Sequence, residues 1–83
     1  MRIEEITKGG VKWRMHAETK DGVEHHVATI KCYEGGFWAE CVKGEIVKHD
    51  GCVAQTRSVT TAIEEAKDYF EFFYPRIHLG GAR

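Results

Sequence analysis

The residues of this chain best equipped for chemistry are three cysteines, Cys32, Cys41 and Cys52, and five histidines, among them the adjacent pair His25-His26 and a lone His49. Together with His25 or His49, the cysteines have the ligand types of a metal site. Structural zinc sites, however, draw on close pairs such as C-x-x-C, and no such pair occurs. A free cysteine on an inward face behaves as a small hydrophobe. The strand pattern described below turns Cys32 and Cys41 inward, so they read as core residues, and no metal or cofactor is expected. His49 stands three residues before Cys52, which is the nearest approach to a nucleophile with its base. Such groups must be adjacent in space rather than in sequence, so no catalytic residue is assigned. His25 and His26 are strand neighbours and point to opposite faces; the expectation is a solvent-exposed hairpin end. Glu64, Glu65 and Asp68 with Lys67 among them have the pattern of a solvated helix surface. No G-x-x-x-x-G-K-[ST], G-x-G-x-x-G, H-E-x-x-H or G-x-S-x-G string is present, which removes the common phosphate, dinucleotide, zinc-protease and serine-hydrolase signatures. An enzyme is not expected.

Trp38 is more informative than any titratable residue. With Tyr33, Arg14, Lys31 and Glu40 it forms the expected binding surface, and Trp38 is its anchor. Large amphipathic aromatics beside arginine are the residue types that dominate protein interfaces. Aromatics on a sheet flanked by cations also stack the bases of single-stranded nucleic acids. Either use requires that these side chains share a face that nothing in the chain covers.

The elements that would position them are legible. Val11, Trp13, Met15 and Ala17 alternate with Lys12, Arg14, His16 and Glu18, the period-two signature of a half-buried strand. Lys20-Asp21-Gly22 supplies a turn. Val23–Glu34 reads as a second strand, with Ala28, Ile30 and Cys32 on one face and Val27, Thr29, Lys31 and Tyr33 on the other. Gly35-Gly36 is the expected hairpin turn, and Phe37–Lys43 returns with Phe37, Ala39 and Cys41 opposite Trp38, Glu40 and Val42. Arg2–Ile6 reads as a short edge strand, Glu45–His49 as an extension of the third strand or another strand, and Cys52–Thr56 as a last one. Val59, Ala62, Ile63, Ala66, Tyr69, Phe70 and Phe73 recur at intervals of three and four, one apolar stripe on a helix. Thr61 with Glu64 or, a turn earlier, Ser58 would cap it, the acidic residues of its first turn would suit the positive helix end, and Pro75 would stop it.

The sum is an α+β domain over residues 1–75: an antiparallel β-meander of three to five strands with one C-terminal helix packed on one face, followed by a tail at 76–83. One helix covers one face. The other is predicted to present Lys12, Arg14, His16, Thr29, Lys31, Tyr33, Trp38, Glu40 and Val42. Composition agrees with a small soluble domain: 83 residues, 42% hydrophobic and 30% charged, with a formal charge of −1. That balance gives no basic footprint for a polyanion. No apolar run approaches a membrane span, the charged start is unlike a secretion signal, and an odd, widely spaced cysteine set is unlike a disulfide framework. A cytoplasmic, reducing location is expected.

A family resemblance enters at Gly35-Gly36-Phe37-Trp38-Ala39-Glu40-Cys41, Gly51-Cys52-Val53-Ala54-Gln55 and Ser58-Val59-Thr60-Thr61-Ala62-Ile63-Glu64-Glu65-Ala66-Lys67. Residues 35–74 resemble the HicB antitoxin family, which has a Gly-Gly-aromatic strand, a Gly-Cys-Val-x-Gln stretch and a Thr-x-x-Glu-Ala helix start. The chain departs from that pattern in the longer, proline-free Val42–Asp50 link and in Thr56, where the family has glycine after the glutamine. No DNA-binding C-terminal domain is expected after the helix. The resemblance implies the toxin-neutralising half alone, a module that blocks a partner ribonuclease. Small phage-encoded inhibitors, anti-CRISPR proteins among them, share the size and topology. The expected function is therefore a binding module that recognises and inhibits a protein, a toxin ribonuclease or a host defence complex. A single-stranded RNA- or DNA-binding domain using the same face is the alternative. An edge strand is able to pair two copies into a homodimer.

Overall fold

The computed structural model describes residues 2–5, 12–19 and 21–74. In chain order these form β1 (Arg2–Glu5), β2 (Lys12–Glu18), β3 (Glu24–Tyr33), β4 (Gly36–Cys41), β5 (Gly51–Thr56) and α1 (Val59–Phe73). The strands make one antiparallel sheet in the order β1-β2-β3-β4-β5. The predicted meander with a C-terminal helix is the observed α+β fold. The expected tail at 76–83 lies outside the described residues.

Turn chemistry sets the register. Between β2 and β3, Gly22 sits at φ 83° and donates to the Thr19 carbonyl at 2.9 Å, while the Thr19 hydroxyl donates to the Asp21 carboxylate. Between β3 and β4 the two-residue loop is Glu34-Gly35, at φ 45° and 78°. Positive φ at both positions is the hairpin geometry that matches strand twist. The expected Gly35-Gly36 turn is thus displaced by one residue. Glu34 takes a left-handed conformation that costs an ordinary residue about 1–2 kcal/mol, because Gly36 is needed elsewhere. Gly36 is the first residue of β4, opposite Tyr33, and a Cβ there would lie 3.1 Å from the Thr56 carbonyl oxygen of β5. The glycine permits close strand contact rather than a bend.

Alternate residues of these strands face the helix. Trp13 and Met15 oppose Ile30 and Ala28, which oppose Ala39 and Cys41, and Ala39 opposes Ala54. The core comprises Met15, Ala17, Val27, Ala28, Ile30, Ala39, Cys41, Val47, Ala54, Ala62, Ala66 and Phe70. Small Ala62 and Ala66 let α1 approach a sheet surface that is itself rich in alanine, and Phe70 supplies bulk. The side chain of Ser58 accepts from the Thr61 amide at 3.1 Å, so the helix begins at the earlier of the two proposed caps. Its first turn consequently contains no acidic residue; Glu64 and Glu65 fall one turn later. α1 packs on β5, β4 and β3, and its apolar stripe runs out of sheet at its end, where Phe73 is 58% exposed and Phe72 is 77% exposed.

Several local expectations are corrected. Val27 does not join the open face. The register shifts between Met15 and His16, so that Val27 becomes an extra residue opposite β2. It turns inward beside Ala28 and is 1% exposed. A bulge of this kind aims two consecutive side chains one way. A second shift, between Ala39 and Glu40, leaves Val53 as the extra residue on β5. Residues 45–49 form no strand; that connection instead delivers Val47 to the core. Cys32 lies on the inward register, opposite Phe37 at the hairpin end, but is exposed, while Cys41 is buried.

The open sheet face as a candidate functional site

On the face away from α1, cross-strand neighbours line up in rows. One row runs Lys12, Lys31, Trp38, Gln55. The next runs Glu4, Arg14, Thr29, Glu40, Cys52. A third contains the opposed pair His16 and His26. All five residues singled out from the sequence, Arg14, Lys31, Tyr33, Trp38 and Glu40, are therefore on this face. They are brought together because two consecutive hairpins, β2–β3 and β3–β4, hold these three strands in register.

Trp38 and Tyr33 stack almost parallel, with ring centroids 4.9 Å apart and planes 12° from one another. Tyr33 is 55% exposed, so its outer ring surface is free. Beneath this stack the indole Nε1–H is buried and has no acceptor among the described residues, a situation that costs about 1–3 kcal/mol. At the β3–β4 hairpin end, Tyr33, Glu34, Phe37, Trp38, Gln55 and Thr56 line a hollow of about 270 Å³. That lies just under the ~300–1,000 Å³ of small-molecule sites and suits a single inserted side chain. Lys31 Nζ donates to Glu40 Oε2 at 3.4 Å, and both groups are partly exposed. Such a pair contributes at most about 1 kcal/mol and orients the lysine beside the indole rather than holding the sheet together. Lys12 and Arg14 are exposed.

The far end of the face holds groups that the sequence reading did not assign. His16 Nε2 lies 3.1 Å from Glu4 Oε1 of β1, and its Nδ1 lies 3.9 Å from Glu24 Oε1. The His16 and His26 rings are 5.6 Å apart, and His26 Nε2 is 3.0 Å from the Thr29 hydroxyl. Both side chains of the His25-His26 pair are half-buried, not the exposed hairpin end that was expected. The bulge at Val27 turns His26 outward against His16. Only its position could have signalled this: two histidine-bearing strands paired by one short turn. Burial holds His26 below the ordinary histidine value, and the charges of His16 and Arg14 add to the effect. Among the described residues, no group of three His, Cys, Asp or Glu side chains has the arrangement of a metal site.

The nucleophile–base arrangement weighed for His49 and Cys52 is not assembled. His49 shares hydrogen bonds with Tyr69 Oη at 2.7 Å and Tyr74 Oη at 3.0 Å, fastening the β4–β5 connection to α1. The Cys52 thiol donates to the Ala54 carbonyl at 3.2 Å. Cys41 Sγ donates to the His49 carbonyl at 3.3 Å, and burial pushes its thiol pKa up, away from the reactive thiolate. Among the described residues, no helix is long and apolar enough to cross a membrane.

The geometry thus describes an α+β module whose sheet face away from α1 carries, among the described residues, an aromatic stack, a side-chain-sized hollow and cations. No family model, no curated protein and no solved structure matches the chain.

Proposed function

We propose that this protein is a non-catalytic module that binds a macromolecular partner through the open sheet face, with Trp38 as anchor, and inhibits that partner. The observation that carries the reading is the Tyr33–Trp38 stack on a face left bare by the helix. Interfaces concentrate their energy in such aromatic anchors, ringed by residues that exclude water. Arg14, Lys31 and Glu40 supply the surrounding polar contacts. The HicB-like strings at residues 35–74 favour a protein partner, either a toxin ribonuclease or a host defence complex. The cytoplasm is the compartment proposed with it.

The test is a pull-down with the tagged full chain, comparing wild type with Trp38→Ala from the same cells. Loss of one specific partner in the variant supports the reading. Equal recovery of the same proteins by both refutes it.

A second reading has an observation of its own: cations stand beside the aromatic stack, the combination that holds single-stranded nucleic acid. Salt separates the two. Binding to a phosphate backbone weakens steeply as salt rises, whereas an interface anchored by an aromatic side chain changes little.

A further inference from the structure

Resting on the open face as a recognition surface, we infer that the partner's contact segment is an extended chain with two features about 10 Å apart: a carboxylate over Lys12 and Arg14, and an apolar side chain in the hollow beside Trp38.

The charges lead to this. Lys12 directly opposes Lys31 across the β2–β3 pair, and like charges so placed are unfavourable. Lys31 is offset by Glu40 at 3.4 Å. Lys12 and Arg14 make no ion pair among the described residues. Glu4 stands opposite Arg14, yet its carboxylate is engaged by His16 at 3.1 Å. Two cations on the same face of β2, about 7 Å apart, thus form no ion pair among the described residues. Lys12 belongs to the row that leads through Lys31 to Trp38. Two strand spacings separate β2 from β4, roughly 10 Å, which a chain extended as polyproline II spans in about three residues while bringing side chains i and i+3 to one face. The hollow at the far end accepts one side chain and is walled by Tyr33, Phe37 and Trp38.

The same map disfavours a polyanion. Glu40 flanks the row of Trp38, Glu4 flanks Arg14, and Glu34 lies at the hollow. A continuous phosphate backbone crossing the face would meet carboxylates on each side. A segment with one well-placed acid would not.

The probes are fluorescein-labelled peptides of about twelve residues in a Ser/Gly background, read by anisotropy against the full chain. One carries Phe-x-x-Asp, a second Phe-x-x-Lys, and a third Ser-x-x-Asp; an oligo-dT of about the same length accompanies them. The Phe-x-x-Asp peptide should bind about tenfold or more tightly than either of the others, the size expected for one well-placed charge or anchor. Arg14→Glu, and separately Lys12→Glu, should weaken that peptide and strengthen Phe-x-x-Lys. Equal binding of the acidic and basic peptides overturns the inference, as does no binding of Phe-x-x-Asp at millimolar concentration, or binding of oligo-dT alone with steep salt dependence. If acidic and basic peptides bind equally but both are lost in Trp38→Ala, the charge inference fails while the recognition surface stands. If Trp38→Ala leaves Phe-x-x-Asp binding unchanged, the surface reading fails with it.

Discussion

The two sides of the sheet are built from the same strands by alternate residues, yet they follow opposite rules. The core under α1 is apolar, and among the described residues no polar or charged residue is fully buried. The other side carries lysine, arginine, histidine, glutamate and two stacked aromatic rings. Packing explains the buried inward residues, which form one core cluster. Packing explains little outside, where, among the described residues, an indole N–H has no acceptor and two cations make no ion pair. The contrast places stability on one side of a thin layer and, in the proposed function, recognition on the other, so substitutions should separate the two.

The strongest way to break that comparison is at Phe70, which is fully buried. Phe70→Ala should cost about 3–5 kcal/mol, most or all of the stability of a domain this small, measured by urea denaturation. Trp38→Ala should cost no more than about 2 kcal/mol, because it loses an aromatic pair worth about 0.5–1.5 kcal/mol and part of its buried area while removing an unpaired donor. Equal losses at the two sites would abolish the distinction.

Gly36→Ala tests the seam between the sides. A methyl group would sit 3.1 Å from the Thr56 carbonyl oxygen, forcing β4 and β5 apart at a cost of about 1–3 kcal/mol. A variant as stable as wild type would show that the strands accommodate it freely.

A smaller effect concerns pH. His26 faces His16 and lies near Arg14 and Glu4, and its pKa is lowered chiefly by burial. The unfolded chain, with an ordinary histidine near 6.5, then takes up a proton before the folded one. The contribution of His26 is complete above that value and is lost as pH falls through about 6.5 toward the folded pKa. Unfolding free energy should decline between pH 7.5 and 5.5, and more shallowly in His26→Gln. Identical slopes in both proteins would remove His26 as the cause.

Thiol reactivity should sharpen the contrast without altering stability. Cys32 and Cys52 are exposed and Cys41 is buried, with its thiol kept protonated. Iodoacetamide should label two cysteines quickly and the third only on unfolding, as mass spectrometry would count them.

Much of this was legible in the residues. Period-two alternation at Lys12–Glu18 and the stripe from Ala62 to Phe70 gave the correct strand and helix faces, because each pattern reflects one buried side. The open-face positions of Arg14, Lys31, Tyr33, Trp38 and Glu40 followed from the same alternation. What escaped was whatever breaks periodicity. Val27 is β-branched and apolar in either orientation, so nothing in its type announced the bulge that turns it inward and His26 outward. Cys32 kept the parity of a core residue, but parity alone does not bury a side chain. The hollow beside Trp38 also escaped, since it depends on Gly36 drawing β5 close, a distance no spacing encodes.

The two outermost strands carry one more consequence. An unpaired strand margin invites copy after copy to add on, the route to fibres. Here β1 is four residues long, three of them charged, whereas β5 is uncharged but kinked by its extra Val53. One rim repels an added strand and the other offers it a broken ladder. Neither rim is therefore a ready template for polymerisation, whatever the aromatic face binds.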